Sequence, residues 1–122
     1  MPEFDLDAAL VSPPVPEEYA HCIHGTWEEV DGKVNVEGWV SLSNLNLTEL
    51  PIQFGTVSDF FSCHHNQLTS LAGAPTYVGG SCYCYDNQLT SLAGAPTTVG
   101  GDFSCDEGVP GEAAYRRRLR HA

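Results

Sequence analysis

Basic residues are scarce in this chain: one lysine and four arginines stand against sixteen acids, a net charge of −11. A surface so short of cations has nothing to neutralise a phosphate backbone, which excludes direct nucleic-acid binding. Long apolar runs are also missing. None approaches the roughly 18 residues of a membrane span, and the opening MPEFDLDAAL is acidic where a secretion signal is basic and then apolar. The expectation is a cytoplasmic protein without membrane association. Cysteine is too irregular for a disulfide framework: Cys22, Cys63, Cys82, Cys84 and Cys105 are odd in number and are expected to stay thiols. No phosphate-binding loop, paired-carboxylate signature or hydrolase elbow occurs. At 122 residues the chain makes one domain with a modest core and no room for a second catalytic module. The expectation is therefore a protein that is not an enzyme and has no cofactor.

What is present is repetition. NQLTSLAGAPTYVGG (residues 66–80) returns as NQLTSLAGAPTTVGG (residues 87–101), changed only at Tyr77 against Thr98. A shift of 21 residues stacks Val36, Val57, Val78 and Val99 in one column and Val40, Phe61, Cys82 and Phe103 in the next. Leu42, Cys63, Cys84 and Cys105 make a third column, followed by Leu47, Leu68 and Leu89, then Leu50, Leu71 and Leu92. Alternation gives short strands at Val40–Leu42, Phe61–Cys63, Cys82–Cys84 and Phe103–Cys105, stacked in parallel about 4.8 Å apart. Inward Cys here is a small hydrophobe, packed where the first copy has Leu42. Asn66 and Asn87 are expected to turn inward and satisfy backbone groups where each strand bends away. Leu45 and Gly108 hold the matching places at either end. AGAPT is expected to run extended, and the pairs Gly79-Gly80 and Gly100-Gly101 to supply positive φ at re-entry into the sheet.

Each unit reads apolar-x-apolar-x-x-Asn-x-Leu-x-x-Leu, as in CYCYDNQLTSL, and resembles the leucine-rich repeat. NQLTSL and LNLTELP are similar to the short repeats of bacterial leucine-rich-repeat proteins, over residues 36–107. The fold expected is mainly β, a leucine-rich-repeat solenoid of about four parallel rungs. Residues 1–35 form an acidic segment with a β-hairpin cap, and residues 108–122 a short helical cap with a basic tail. In the hairpin, turning at Asp31-Gly32, Trp27 and Val30 are expected to plug the first rung. VSPPVPEEY (residues 11–19) should be extended, and Tyr115 and Leu119 should face inward from the C-terminal helix.

Outward strand positions of a solenoid line one concave face, where partners bind. Trp39, Phe60, His64, Tyr83 and Tyr85 fall there, with Asp106 in the last copy and His65, Asp86 and Glu107 flanking. Four large aromatics on one exposed face exceed what solubility favours and suit an interface. A metal reading of His64 and His65 with Tyr85 and Asp86 on the next rung and Asp106 and Glu107 beyond, or of His21, Cys22 and His24, is weaker: adjacent strand residues point to opposite sides and no spacing matches a zinc pattern. Catalysis by Cys22 between its histidines lacks a third partner.

Nine of the sixteen acids lie within residues 1–37, offset only by Lys33, while Asp102, Asp106, Glu107 and Glu112 lie near Arg116, Arg117, Arg118 and Arg120 in sequence and are expected to be offset by them. Glu28, Glu29 and Asp31 form the candidate acidic patch, a stand-in for a short phosphate run. The function expected is a non-enzymatic interaction module, an acidic inhibitor of a basic nucleic-acid-handling protein. It is similar in this to phage or mobile-element antagonists of host defence, including anti-CRISPR proteins. The alternative is an adaptor that holds a neutral protein on the aromatic face, as a monomer or homodimer, and a metal-binding protein is a remote third.

Overall fold

The structure, a computed structural model, describes residues 13–121. Glu3, Asp5, Asp7 and the first two residues of the proline-bound stretch lie outside them. Strands β1 (Ile23–Val30) and β2 (Lys33–Ser41) form an antiparallel hairpin. Its two-residue turn needs positive φ at both positions, and Asp31 (52°) and Gly32 (80°) supply it.

The other edge of β2 starts two parallel ladders. Its first half pairs with β3 (Phe54–Val57), and its second half, from Val40, pairs with β4 (Phe61–Ser62). β5 (Tyr77–Val78) and β7 (Thr98–Val99) extend the first ladder; β6 (Cys82–Tyr83) and β8 (Phe103–Ser104) extend the second. The sheet order β7-β5-β3-β2-β4-β6-β8 is thus a parallel β-solenoid of three two-strand coils stacked on β2. The 21-residue shift is one coil: Val57 pairs with Val78 and Val78 with Val99, while Phe61 pairs with Cys82 and Cys82 with Phe103. The valine column proves to be a second strand in every coil, where the repeat pattern gave only one.

The inward columns make the core. Val36, Val40, Leu42, Phe54, Val57, Phe61, Cys63, Leu68, Leu71, Val78, Cys84 and Val99 are all buried, and Phe54 meets Phe61 edge to face at 5.2 Å. Asn66 turns inward as its place in the repeat requires. Its Oδ1 accepts from the N–H groups of Leu45 and Leu47, both at 3.0 Å, and its Nδ2 donates to the carbonyls of Leu42, Cys63 and His64. Asn87 repeats the pattern one coil on, with Leu68 as donor and Cys63, Cys84 and Tyr85 as acceptors.

The paired glycines act differently from the expectation. Positive φ occurs instead at Gly73 (94°) and Gly94 (89°), inside the AGAPT returns, which turn there rather than staying extended. Gly79 is needed for room: a Cβ there would overlap the Ser58 carbonyl of the preceding coil, and one on Gly101 would overlap Ser81 Oγ. Close approach of neighbouring coils, not re-entry geometry, selects glycine at these corners.

The front cap also departs from the expectation. Trp27 and Val30 remain 42% and 45% exposed, because β1 lies beyond the core along the edge of β2. Val15, Cys22 and Ile23 are buried there instead, and Glu17–Cys22 is a 3₁₀ turn, so the proline-bound stretch is not extended throughout. At the back, α1 (Glu112–Arg118) holds Tyr115 against Phe103 at 4.7 Å, with its hydroxyl donating to the Pro96 carbonyl at 2.6 Å. Leu119, just past the helix, packs partly buried on the core. Arg120 accepts from the Val99 N–H and donates to the Thr97 carbonyl, which closes the β7 edge. Among the described residues no helix is long and apolar enough to cross a membrane.

Candidate functional site: a ring-lined face

The outward side of the β4-β6-β8 ladder collects the rings. Trp39 stacks on Phe60 one coil away, with centroids 4.8 Å apart and planes 20° from parallel. On its other face Trp39 stacks on His24 at 3.7 Å and 9°. His64 stacks on Tyr85 in the same manner, at 4.7 Å and 13°. Tyr83 stands between the two stacks, edge-on or tilted to Phe60, His64 and Tyr85 at 6.4 to 6.5 Å. Parallel strands in register place equivalent residues above one another, so rings at equivalent positions stack.

His24 belongs to this face, beyond its sequence reading beside Cys22 as a metal ligand or catalytic neighbour. The turn at Asp31-Gly32 pairs residues whose numbers sum to 63, as Val30 with Lys33, so it sets His24 opposite Trp39. That register was the signal available for finding it.

His65 joins the face against strand alternation. Its φ of 57° is left-handed, as is that of Asp86 (58°) one coil on, so the chain turns and the His65 ring comes to 4.8 Å from His64. His65 Nδ1 hydrogen-bonds the Asp86 carboxylate. Opposite-side pointing therefore does not separate the two histidines. Even so, among the described residues no group of three or more His, Cys, Asp or Glu side chains is arranged to hold a metal ion. His64 Nδ1 hydrogen-bonds the buried Ser62 hydroxyl. Burial and the neighbouring His65 push the His64 imidazole below its usual 6.5, with Asp86 opposing them.

The carboxylates divide by role. Asp106 accepts from the N–H groups of Asp86 (2.8 Å) and Asn87 (3.0 Å), caring for backbone at the last coil, where Gly108 has no amide side chain to offer. Glu107 is exposed beside it. Asp102 is exposed; of the four acids expected to be offset by the arginines, Glu112 pairs with Arg116, and Asp102, Asp106 and Glu107 form no ion pair among the described residues. On the hairpin, Glu28, Glu29 and Asp31 are all exposed, but Glu28 lies opposite Asn35 and Glu29 opposite Val34 in one strand. Alternation sends those two side chains to opposite faces, and the acidic patch is split.

The thiols are packing groups in this arrangement. Cys63, Cys82 and Cys84 are buried, and Cys84 donates its S–H to the Ser104 carbonyl. Burial and the adjacent Cys84 push Cys63 well up, while the contact with Cys84 followed by burial does the same for Cys82. Cys105 is raised to about 11, chiefly by burial. His21 Nε2 lies 3.6 Å from Cys22 Sγ, yet burial raises that thiol too, away from the nucleophilic thiolate. No family model, curated protein or solved structure matches the chain.

Proposed function

We propose that the protein is a non-enzymatic interaction module that docks a protein partner on the ring-lined face. The observation that carries this reading is the run of seven rings from His24 through Trp39, Phe60, Tyr83, His64 and Tyr85 to His65, each within 6.5 Å of the next. Rings held by a rigid parallel ladder lose little entropy on binding and make effective anchors. The net charge of −11 favours a basic partner, in keeping with the resemblance to acidic antagonists of nucleic-acid-handling proteins.

The test is capture of partners by the tagged protein, comparing wild type, a Trp39→Ala/Tyr85→Ala variant and a Glu28→Gln/Glu29→Gln variant that folds equally well. The ring variant is expected to lose the specific partner, and the glutamine variant to keep it. The reverse result, with binding that collapses between low and high salt, would replace this reading with phosphate mimicry by the hairpin.

A further inference from the structure

We propose that the Gly80–Ser81 corner is a seat for an arginine guanidinium of the partner, with the Phe60 ring above it and the carboxylates of Asp59 and Asp102 beside it. This deepens the proposed function and rests on it. The outward column that begins Trp39, Phe60 continues as Ser81 and Asp102. The stack along this column therefore stops at Phe60: the next coil places the small Ser81 in it, with the Tyr83 ring alongside at 6.4 Å from Phe60, and the one after offers a carboxylate. With coils about 4.8 Å apart, the Phe60 and Asp102 positions lie roughly 10 Å from each other. A planar cation about 3.5 Å thick fits between them, stacked on the ring and reaching the acid.

Three local features shape the step. Gly80 packs directly on the preceding coil, since a Cβ added to it would come to 3.0 Å from Asp59 C and Phe60 N, so the room for a cation lies on the outward side, over Ser81. Asp59 Oδ1 lies 3.1 Å from that same Cβ position, so its carboxylate overhangs the corner. Ser81 Oγ is tied down, accepting from the Asp102 N–H at 3.0 Å. Neither Asp59 nor Asp102 makes an ion pair among the described residues. The molecule already uses this chemistry once: the Arg116 guanidinium lies 5.5 Å from the centroid of Phe103 and donates to the Phe103 carbonyl. Arginine is favoured over lysine because its flat, weakly hydrated fork can stack and hydrogen-bond together.

The test titrates ¹⁵N-labelled protein with a hexa-arginine peptide and, separately, a hexa-lysine peptide of equal charge, following amide shifts. The result expected is the largest shifts at Phe60, Gly80, Ser81 and Asp102, with arginine about fivefold tighter than lysine, and about a five- to tenfold loss on Asp102→Asn or Phe60→Leu. Glu49→Gln, an exposed acid at another place in the coil, serves as the charge control. Equal affinity for the two peptides, shifts centred on the hairpin acids, or a Glu49→Gln loss matching that of Asp102→Asn would each overturn the seat. If the peptides fail in this way while Trp39→Ala/Tyr85→Ala still abolishes partner capture, the seat falls and the docking face stands.

Discussion

Asn66 shows how much one side chain settles. Its five hydrogen bonds serve backbone groups in two coils, at a place where strand pairing has ended. Asn66→Ala would leave buried N–H and C=O groups unmet and is expected to cost about 2–4 kcal/mol in urea unfolding. Asn87→Ala is expected to cost less, since Asn87 makes four such bonds and is only half-buried. At His64 the depressed pKa has a definite sign. As pH falls below 6.5, the unfolded chain takes up the proton before the folded one, so stability declines from that point toward the lower folded value. NMR titration should place the His64 midpoint below 6.5. His65→Ala should move it up and Asp86→Asn should move it down, because the first removes a repelling imidazole and the second an attracting carboxylate.

Among the elements, the corners between paired strands govern how closely coils can stack. Gly79 donates its N–H to the Val57 carbonyl at 2.9 Å and leaves no room for a methyl group against Ser58. Gly79→Ala is expected to destabilise by about 1–3 kcal/mol, the usual cost of overpacking, read as a lowered urea midpoint. An unchanged midpoint would show that the coils are less closely stacked than described. The repeat made the inward columns and the asparagine ladder legible, because a hydrophobic period and a buried amide each have few alternatives. It left the second strand hidden: Val57, Val78 and Val99 have no apolar residue two positions to either side, so no alternation marks that strand, whereas Phe61-x-Cys63 and its equivalents show it. The same holds for the front cap, where Trp27 and Val30 looked like plugs until the position of β1 beyond the core left them exposed.

Across the whole molecule, the thiol column reports on integrity. Cys63, Cys82 and Cys84 are buried, Cys22 is raised by burial and Cys105 is raised to about 11. An aromatic disulfide reagent at pH 8 is expected to leave the folded protein almost unlabelled and to count all five thiols in urea. More than one fast-reacting thiol in the folded state would contradict the stacked core.

The sequence by itself determined the coil. A fixed 21-residue period of valine, phenylalanine, cysteine and leucine can bury its apolar side only by stacking like on like, so the core, its amides and the aromatic character of one face follow from the order of residues. Tertiary structure decided what that face presents. Only stacking in register brings Trp39 onto Phe60 and His64 onto Tyr85, and only hairpin pairing brings in His24. These outcomes depend on distances between residues far apart in the chain, which a local pattern does not encode.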